Sequence, residues 1–224
     1  MQIEWYGQSA FRLKAPEATV FIDPFAGVPS LAQERGIQFD YPPITDVSAD
    51  LVLVTHEHFD HNGVEAVGGS PQVLRSTAGR LSSEPIDEVL AVASEHDAAA
   101  GTERGPNTIF AFTLEGLRVA HFGDFGQTEL RPEQAAALGQ LDMVFLPVGA
   151  GPTIGPEQAQ AICASLRPRW VVPMHYRTSR VNFLDPVDPF LERMPGVHRL
   201  EAPAFDTDSL PAGDGTLAVV PAVP

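Results

Sequence analysis

The chain has 224 residues, 44% hydrophobic and 19% charged, which is ordinary for a globular protein and long enough to bury a substantial core in a single domain spanning 1–224. A formal charge of -15, from 14 basic against 29 acidic residues, argues against a phosphate-tracking surface, so no nucleic-acid partner is expected. The start, Gln2-Ile3-Glu4-Trp5, has neither a basic opening nor an apolar run of spanning length, so the expectation is a cytoplasmic protein with no membrane span.

Residues 3–6, 10–13 and 19–22 are short apolar pieces separated by Gly7 and Pro16, which predicts an antiparallel meander ended by Asp23-Pro24-Phe25. Residues 27–46 carry Pro29, Gly36, Pro42 and Pro43 with Phe39 and Tyr41 between them. They read as a long loop, either a flap over a site or a passive surface segment. The run LVLV at 51–54 predicts a buried strand, 64–67 a short helix stopped by Gly68-Gly69, and 72–74 a further strand. A strand at 89–93 leads through Ser94-Glu95 to His96, and 97–107 is an Ala/Gly/Pro-rich loop. Residues 108–114 and 117–122 form a hairpin around Glu115-Gly116 that delivers His121-Phe122-Gly123-Asp124. Helices at 132–138 and 156–166 start on proline and alternate with strands at 142–146 and 169–173, the latter ending at Met174-His175-Tyr176. Two short strands, 197–200 and 216–220, close the chain. Both halves run from strands into helices, as in a duplicated sandwich. The single cysteine, Cys163, lies inside the second helix, excludes an internal disulfide and reads as a small core residue.

The densest chemistry is at 55–63 (THEHFDHNG), where His56, His58, Asp60 and His61 fall within six positions. In an extended segment side chains alternate, so His56 and His58 share one face, and a turn at Phe59 can return Asp60 and His61 to the same cavity. Imidazoles and carboxylates without thiolates suit zinc, manganese or iron, in the donor set usual for catalytic rather than structural zinc. The helical His-Glu-x-x-His pattern is absent, because Asp60 stands three residues after Glu57. His96, Asp124 and His175 each follow a predicted strand, as His56 does, and strand ends are where a precise cluster is best held.

The motif His56-x-His58-x-Asp60-His61 after a hydrophobic strand resembles the signature of the metallo-β-lactamase superfamily. Gly155-Pro156-Glu157-Gln158-Ala159, Arg167-Pro168-Arg169 and Pro173-Met174-His175-Tyr176 are similar to one branch of small metal-dependent hydrolases, which includes sugar-phosphate lactonases. The resemblance implies an α/β (α+β) fold, a four-layer αββα sandwich of two mixed sheets flanked by helices. It also implies two divalent ions, zinc or manganese first: His56, His58 and His96 on one, Asp60, His61 and His175 on the other, Asp124 between them, and Asp23 supporting the motif from behind. The cysteine ligand of antibiotic-hydrolysing members is missing, so antibiotic hydrolysis is not expected. His121 competes with His96 for a place on the first metal. It shares a strand face with Val119 and Leu117, however, which puts it beneath the site, where it would hydrogen-bond a ligand from behind.

Such a pair would share a hydroxide that attacks a small ester, lactone or phosphodiester, with Asp60 also relaying the proton. The expected partner is a small-molecule substrate, and a homo-oligomer is compatible with the sequence. Arg177 and Arg180, close after His175, are candidates for an anionic group on the substrate, with solvated surface arginines as the plain alternative. The alternative functions are a di-iron redox or oxygen-sensing protein and a non-catalytic metal-binding scaffold.

Overall fold

The structure is a computed structural model that describes residues 1–28, 32, 36–75, 78–211 and 215–224. Alternating apolar residues in the first third build one mixed sheet in the order β15-β1-β2-β3-β5-β7. Its strands are β1 (Gln2–Gly7), β2 (Ala10–Lys14), β3 (Thr19–Ile22), β5 (Leu51–Val54), β7 (Gln72–Arg75) and the late β15 (Ala204–Asp206). The pairs among β15, β1, β2 and β3 are antiparallel, whereas β3-β5 and β5-β7 are parallel.

The second sheet has eight strands in the order β14-β16-β13-β12-β11-β10-β9-β8. These are β8 (Gly79–Ser83), β9 (Ile86–Glu95), β10 (Pro106–Leu114), β11 (Leu117–His121), β12 (Met143–Pro147), β13 (Trp170–Met174), β14 (Gly196–Arg199) and β16 (Leu217–Val220). Strands β8 to β11 pair antiparallel, and β11 onward pair parallel. Each sheet thus passes from a meander into a parallel half. At the predicted hairpin, Glu115 and Gly116 both have positive φ, 49° and 74°, the conformation that a two-residue turn between right-twisting strands requires.

Helices α1 (Pro132–Leu138) and α2 (Pro156–Leu166) have the predicted limits, each with proline in its first turn. The backbone N–H of Arg131 donates to Gln134 Oε1 at the start of α1. A short helix α3 (Asp188–Leu191), the edge strands β8 and β15 and a two-strand pairing of β4 (Val47–Ser48) with β6 (Val67–Gly68) are additional to the sequence reading. The helix expected at 64–67 is a single 3-10 turn, Val64–Ala66, because Val67 goes into β6 instead.

The period-two pattern explains two cores. Val20, Ile22, Leu51 and Leu53 face the second sheet and pack with Phe110, Phe112, Val119 and Phe145. Phe11 and Phe145 rings meet there at 4.6 Å. Phe21, Val52 and Val54 point the other way and are covered by Phe25, Val28, Phe39 and Tyr41. The described part of 27–46 is therefore neither a bare flap nor a passive surface loop. Phe39 and Tyr41 are buried, and Phe25, Phe39 and Tyr41 form edge-to-face and tilted ring contacts. The rest of that expected loop, 29–31 and 33–35, lies outside the described residues. No described helix is long and apolar enough to cross a membrane.

Candidate metal centre

All seven predicted site residues come together at the carboxyl ends of strands: His56 to His61 after β5, His96 after β9, Asp124 after β11 and His175 after β13. Ligating atoms of His56, His58 and His96 lie within 4.8 Å of one another, and so do those of Asp60, His61 and His175. Asp124 sits between the two groups. Its Oδ2 is 3.1 Å from His96 Nε2 and 3.2 Å from His175 Nε2, and its Oδ1 is 3.3 Å from His61 Nε2. His56, His61, His96, Asp124 and His175 are buried, while His58 and Asp60 are partly open to a cavity of 570 Å³. That cavity is lined also by Ile37, Phe59, Arg104 and Phe183.

Hydrogen bonds from behind decide which ring nitrogens face inward. Asp23 is fully buried, and its carboxylate accepts the Thr55 N–H (2.8 Å), the Thr55 hydroxyl (2.7 Å) and His61 Nδ1–H (2.8 Å). Because the Thr55 hydroxyl proton is given to Asp23, Thr55 Oγ1 can only accept from His56 Nδ1–H, at 3.1 Å. His96 Nδ1–H donates to the Pro152 carbonyl at 3.0 Å. With Nδ1 protons tied back on three imidazoles, their Nε2 atoms point into the cluster, as metal-ligating histidines require. Among the described residues, the buried His61 Nε2 has no hydrogen-bond partner and faces Asp124 Oδ1 at 3.3 Å. Asp23 forms a third close group with His56 and His61, but its two oxygens already serve three donors, so it orients those rings.

Electrostatics follow from burial and these neighbours. Burial, with His61 beside it, holds the His56 pKa well below the ordinary value; burial and His96 lower that of His58. For His61, burial opposes the charged form, but Asp124, Asp60 and Asp23 outweigh it and hold the pKa well above the ordinary value. Burial likewise opposes charge on Asp124, yet His175 and His61 keep its carboxyl well below the usual range.

His121 lies beneath the cluster as expected, but it does not bond a predicted ligand. Gly123 N–H donates to its Nδ1 at 3.1 Å, so Nε2 carries the proton and donates to the Ser9 carbonyl at 2.9 Å. Burial, which lowers its pKa, favours the neutral ring that this arrangement needs. Arg177 and Arg180 do not line the cavity. Arg177 Nε donates to the Leu184 carbonyl and Arg180 Nε to that of Pro224, so folding consumes both. Among the described residues, the arginine in the cavity wall is Arg104, which no motif marked. Asn107, assigned to a loop, is a second omission. Its Oδ1 accepts the Asp124 N–H at 3.0 Å and its Nδ2 donates to the Phe122 carbonyl at 2.8 Å, clamping the turn that presents Asp124. Gly123 in that turn has φ +55°, and a Cβ there would collide with Asn107 Oδ1 and Thr55. His175 itself is held at φ +51°, a strained conformation for a non-glycine residue of the kind that clusters at functional sites.

Comparison with known proteins identifies the family. Residues 2–175 match the pattern of the β-lactamase superfamily domain. The chain is 32% identical to a UPF0173 metal-dependent hydrolase of Pyrobaculum calidifontis, over 89% of this chain and 94% of that protein. It is 30% identical to one from Pyrobaculum neutrophilum, over 89% and 94%. A Thermotoga maritima structure described provisionally as a Zn-dependent hydrolase of the metallo-β-lactamase superfamily superimposes with a TM-score of 0.76 at 27% identity, covering 99% of both chains. On these matches, the chain belongs to the β-lactamase superfamily and, within it, to the UPF0173 metal-dependent hydrolases.

Proposed function

We propose that this chain, working as a single domain, hydrolyses a small ester, lactone or phosphodiester with two divalent ions, zinc or manganese. His56, His58 and His96 would hold one ion and Asp60, His61 and His175 the other, with Asp124 reaching both. The observation that carries the reading is the pair of three-residue groups around Asp124, with Nδ1 protons of His56, His61 and His96 tied back and His61 Nε2 buried 3.3 Å from Asp124 Oδ1. Seven oxygen and nitrogen donors exceed what one four- or five-coordinate ion uses. Divalent ions in such a pair lower the pKa of water toward about 7 and polarise a carbonyl or phosphoryl oxygen.

The chain's own residues supply position and proton transfer. Asp23 fixes His61 directly and His56 through Thr55, while Asn107 fixes Asp124. Asp124 is buried and surrounded by imidazoles, so it is suited to hold charge and not to exchange protons with solvent. Asp60 is the carboxylate on the cavity wall that solvent reaches, 3.7 Å from His61 Nε2 through Oδ2, and it can pass a proton to a departing group. Cys163 is buried in α2, with its thiol pushed up to about 12 by burial, and takes no part. The test is elemental analysis of protein reconstituted with zinc or manganese, together with turnover of generic ester, lactone and phosphodiester substrates. Two metals per chain and metal-dependent turnover that Asp60→Ala abolishes, with circular dichroism preserved, are expected. One metal at most, or a fully active Asp60→Ala protein, would overturn the reading.

A further inference from the structure

Arg104 lies in the wall of the 570 Å³ cavity beside His58, Asp60, His96 and Asp124. Its guanidinium makes no hydrogen bond or ion pair among the described residues. Other arginines are spent on the fold: Arg12 pairs with Glu4, Arg131 with Glu95 and Arg199 with Asp188. In a chain with 29 acidic and 14 basic residues, a basic side chain left unpaired at the mouth of the predicted centre is available to a ligand.

The loop carrying Arg104 is built in advance of any ligand. The buried Asp97 carboxylate accepts backbone N–H groups of Ala99, Gly101, Glu103 and Arg104 at 2.8, 2.9, 3.1 and 2.8 Å. The next residue, Gly105, accepts the His96 N–H at 3.1 Å, so the backbone of Arg104 is tied to that of a predicted ligand. Apolar wall is supplied by Ile37, Phe59 and Phe183, the last a large aromatic left 42% exposed at the cavity. Among the described residues, the cavity therefore offers a polar floor of imidazoles and carboxylates, an apolar side and the Arg104 cation.

We infer that the substrate carries a carboxylate or phosphate at the end away from the scissile bond, bound by Arg104, with a short apolar body against Phe59 and Phe183. Arg104 is a specificity-determining residue on this account, which rests on the hydrolytic reading above. A guanidinium presents paired N–H donors that match carboxylate or phosphate oxygens, whereas an ammonium is a point charge, so lysine is only a partial substitute.

The test uses metal-reconstituted wild type, Arg104→Gln and Arg104→Lys, each checked for equal metal content. Mono-4-nitrophenyl glutarate and 4-nitrophenyl pentanoate are compared as anionic and neutral esters of matched length. Independently of turnover, glutarate, 4-phosphonobutanoate and pentanoate are titrated calorimetrically, and the first two separate a carboxylate from a phosphate preference. Wild type is expected to favour the anionic ester in kcat/KM, and the dianionic probes in affinity, by about tenfold, the scale of a charge-assisted hydrogen bond. Arg104→Gln brings both ratios to about one through KM, and Arg104→Lys is intermediate. If wild type turns over neither ester, the ester reading fails and the titrations alone decide Arg104. Dianionic probes binding no tighter than pentanoate in wild type, or an undiminished preference in Arg104→Gln, would overturn the assignment.

Discussion

Asp23→Asn is the most informative single change, because it alters proton positions around two histidines while keeping the shape of the side chain. Asp23 sits at φ 48°, a conformation that asparagine also tolerates, so the backbone does not oppose the substitution. The amide oxygen can stay on the Thr55 N–H, now accepted by Oδ1 at 2.8 Å. The amide nitrogen then faces Thr55 Oγ1 and His61 Nδ1, which at present donate to Oδ2 at 2.7 and 2.8 Å. A donor in that place forces His61 to accept on Nδ1 and carry its proton on Nε2, toward Asp60 and Asp124. It also turns the Thr55 hydroxyl proton toward His56 Nδ1, reversing that ring too. Two buried charge-assisted hydrogen bonds are exchanged for weaker ones, a loss of about 2–4 kcal/mol, which lowers Tm by roughly 5–15 °C in a chain of this size. Loss of such orienting groups typically weakens metal binding ~10–100-fold. Competition with a chromophoric chelator reads the affinity, thermal circular dichroism reads the stability, and long-range nitrogen–proton NMR reads the tautomers. Unchanged metal affinity, or a metal-loaded His61 ring still protonated on Nδ1, would refute the argument. Thr55→Val isolates the His56 branch and should weaken chiefly the ion proposed to sit with His58 and His96.

Metal uptake should release protons, because the carboxylates around His61 hold its pKa well above the ordinary value and ligation displaces that proton, whereas the pKa values of His56 and His58 are lowered. Apparent affinity should therefore rise with pH until it passes the raised His61 pKa. A weakly buffered titration with a pH indicator checks this, and no proton release would contradict it. Gly123→Ala should cost about 2–4 kcal/mol, from the left-handed backbone and the collision with Asn107, and should displace Asp124. A thermal melt within 2 °C of wild type would show the turn to be more tolerant than this. DNA and RNA should bind weakly or not at all at physiological salt, given the charge of -15. A gel shift showing tight, salt-sensitive binding would contradict that.

Much of the site was legible because its signals are local. The spacing of His56, His58, Asp60 and His61, the apolar LVLV run before them, and the proline and glycine punctuation of α1, α2 and the 114–117 turn each lie within a few neighbouring residues. Residue type and strand-end position likewise pointed to His96, Asp124 and His175. Edge strands β8 and β15 were not legible, since short polar runs become strands only when a neighbour offers a ladder, as β9 and β1 do here. The segment 27–46 read as loop, because breakers mark irregular backbone but cannot say that Phe39 and Tyr41 will cover the outer face of a sheet. The direction of a side chain within the site was out of reach for the same reason. His121 reaches Ser9 across 112 positions, Asn107 reaches Asp124, and Arg104 is left free where Arg177 and Arg180 are not. Sequence alone determined which atoms could bind a metal and that strands would end beside them. Which nitrogen faces inward, and which arginine stays available, was decided by pairings between distant strands, because a hydrogen bond's partner depends on tertiary proximity and not on order along the chain.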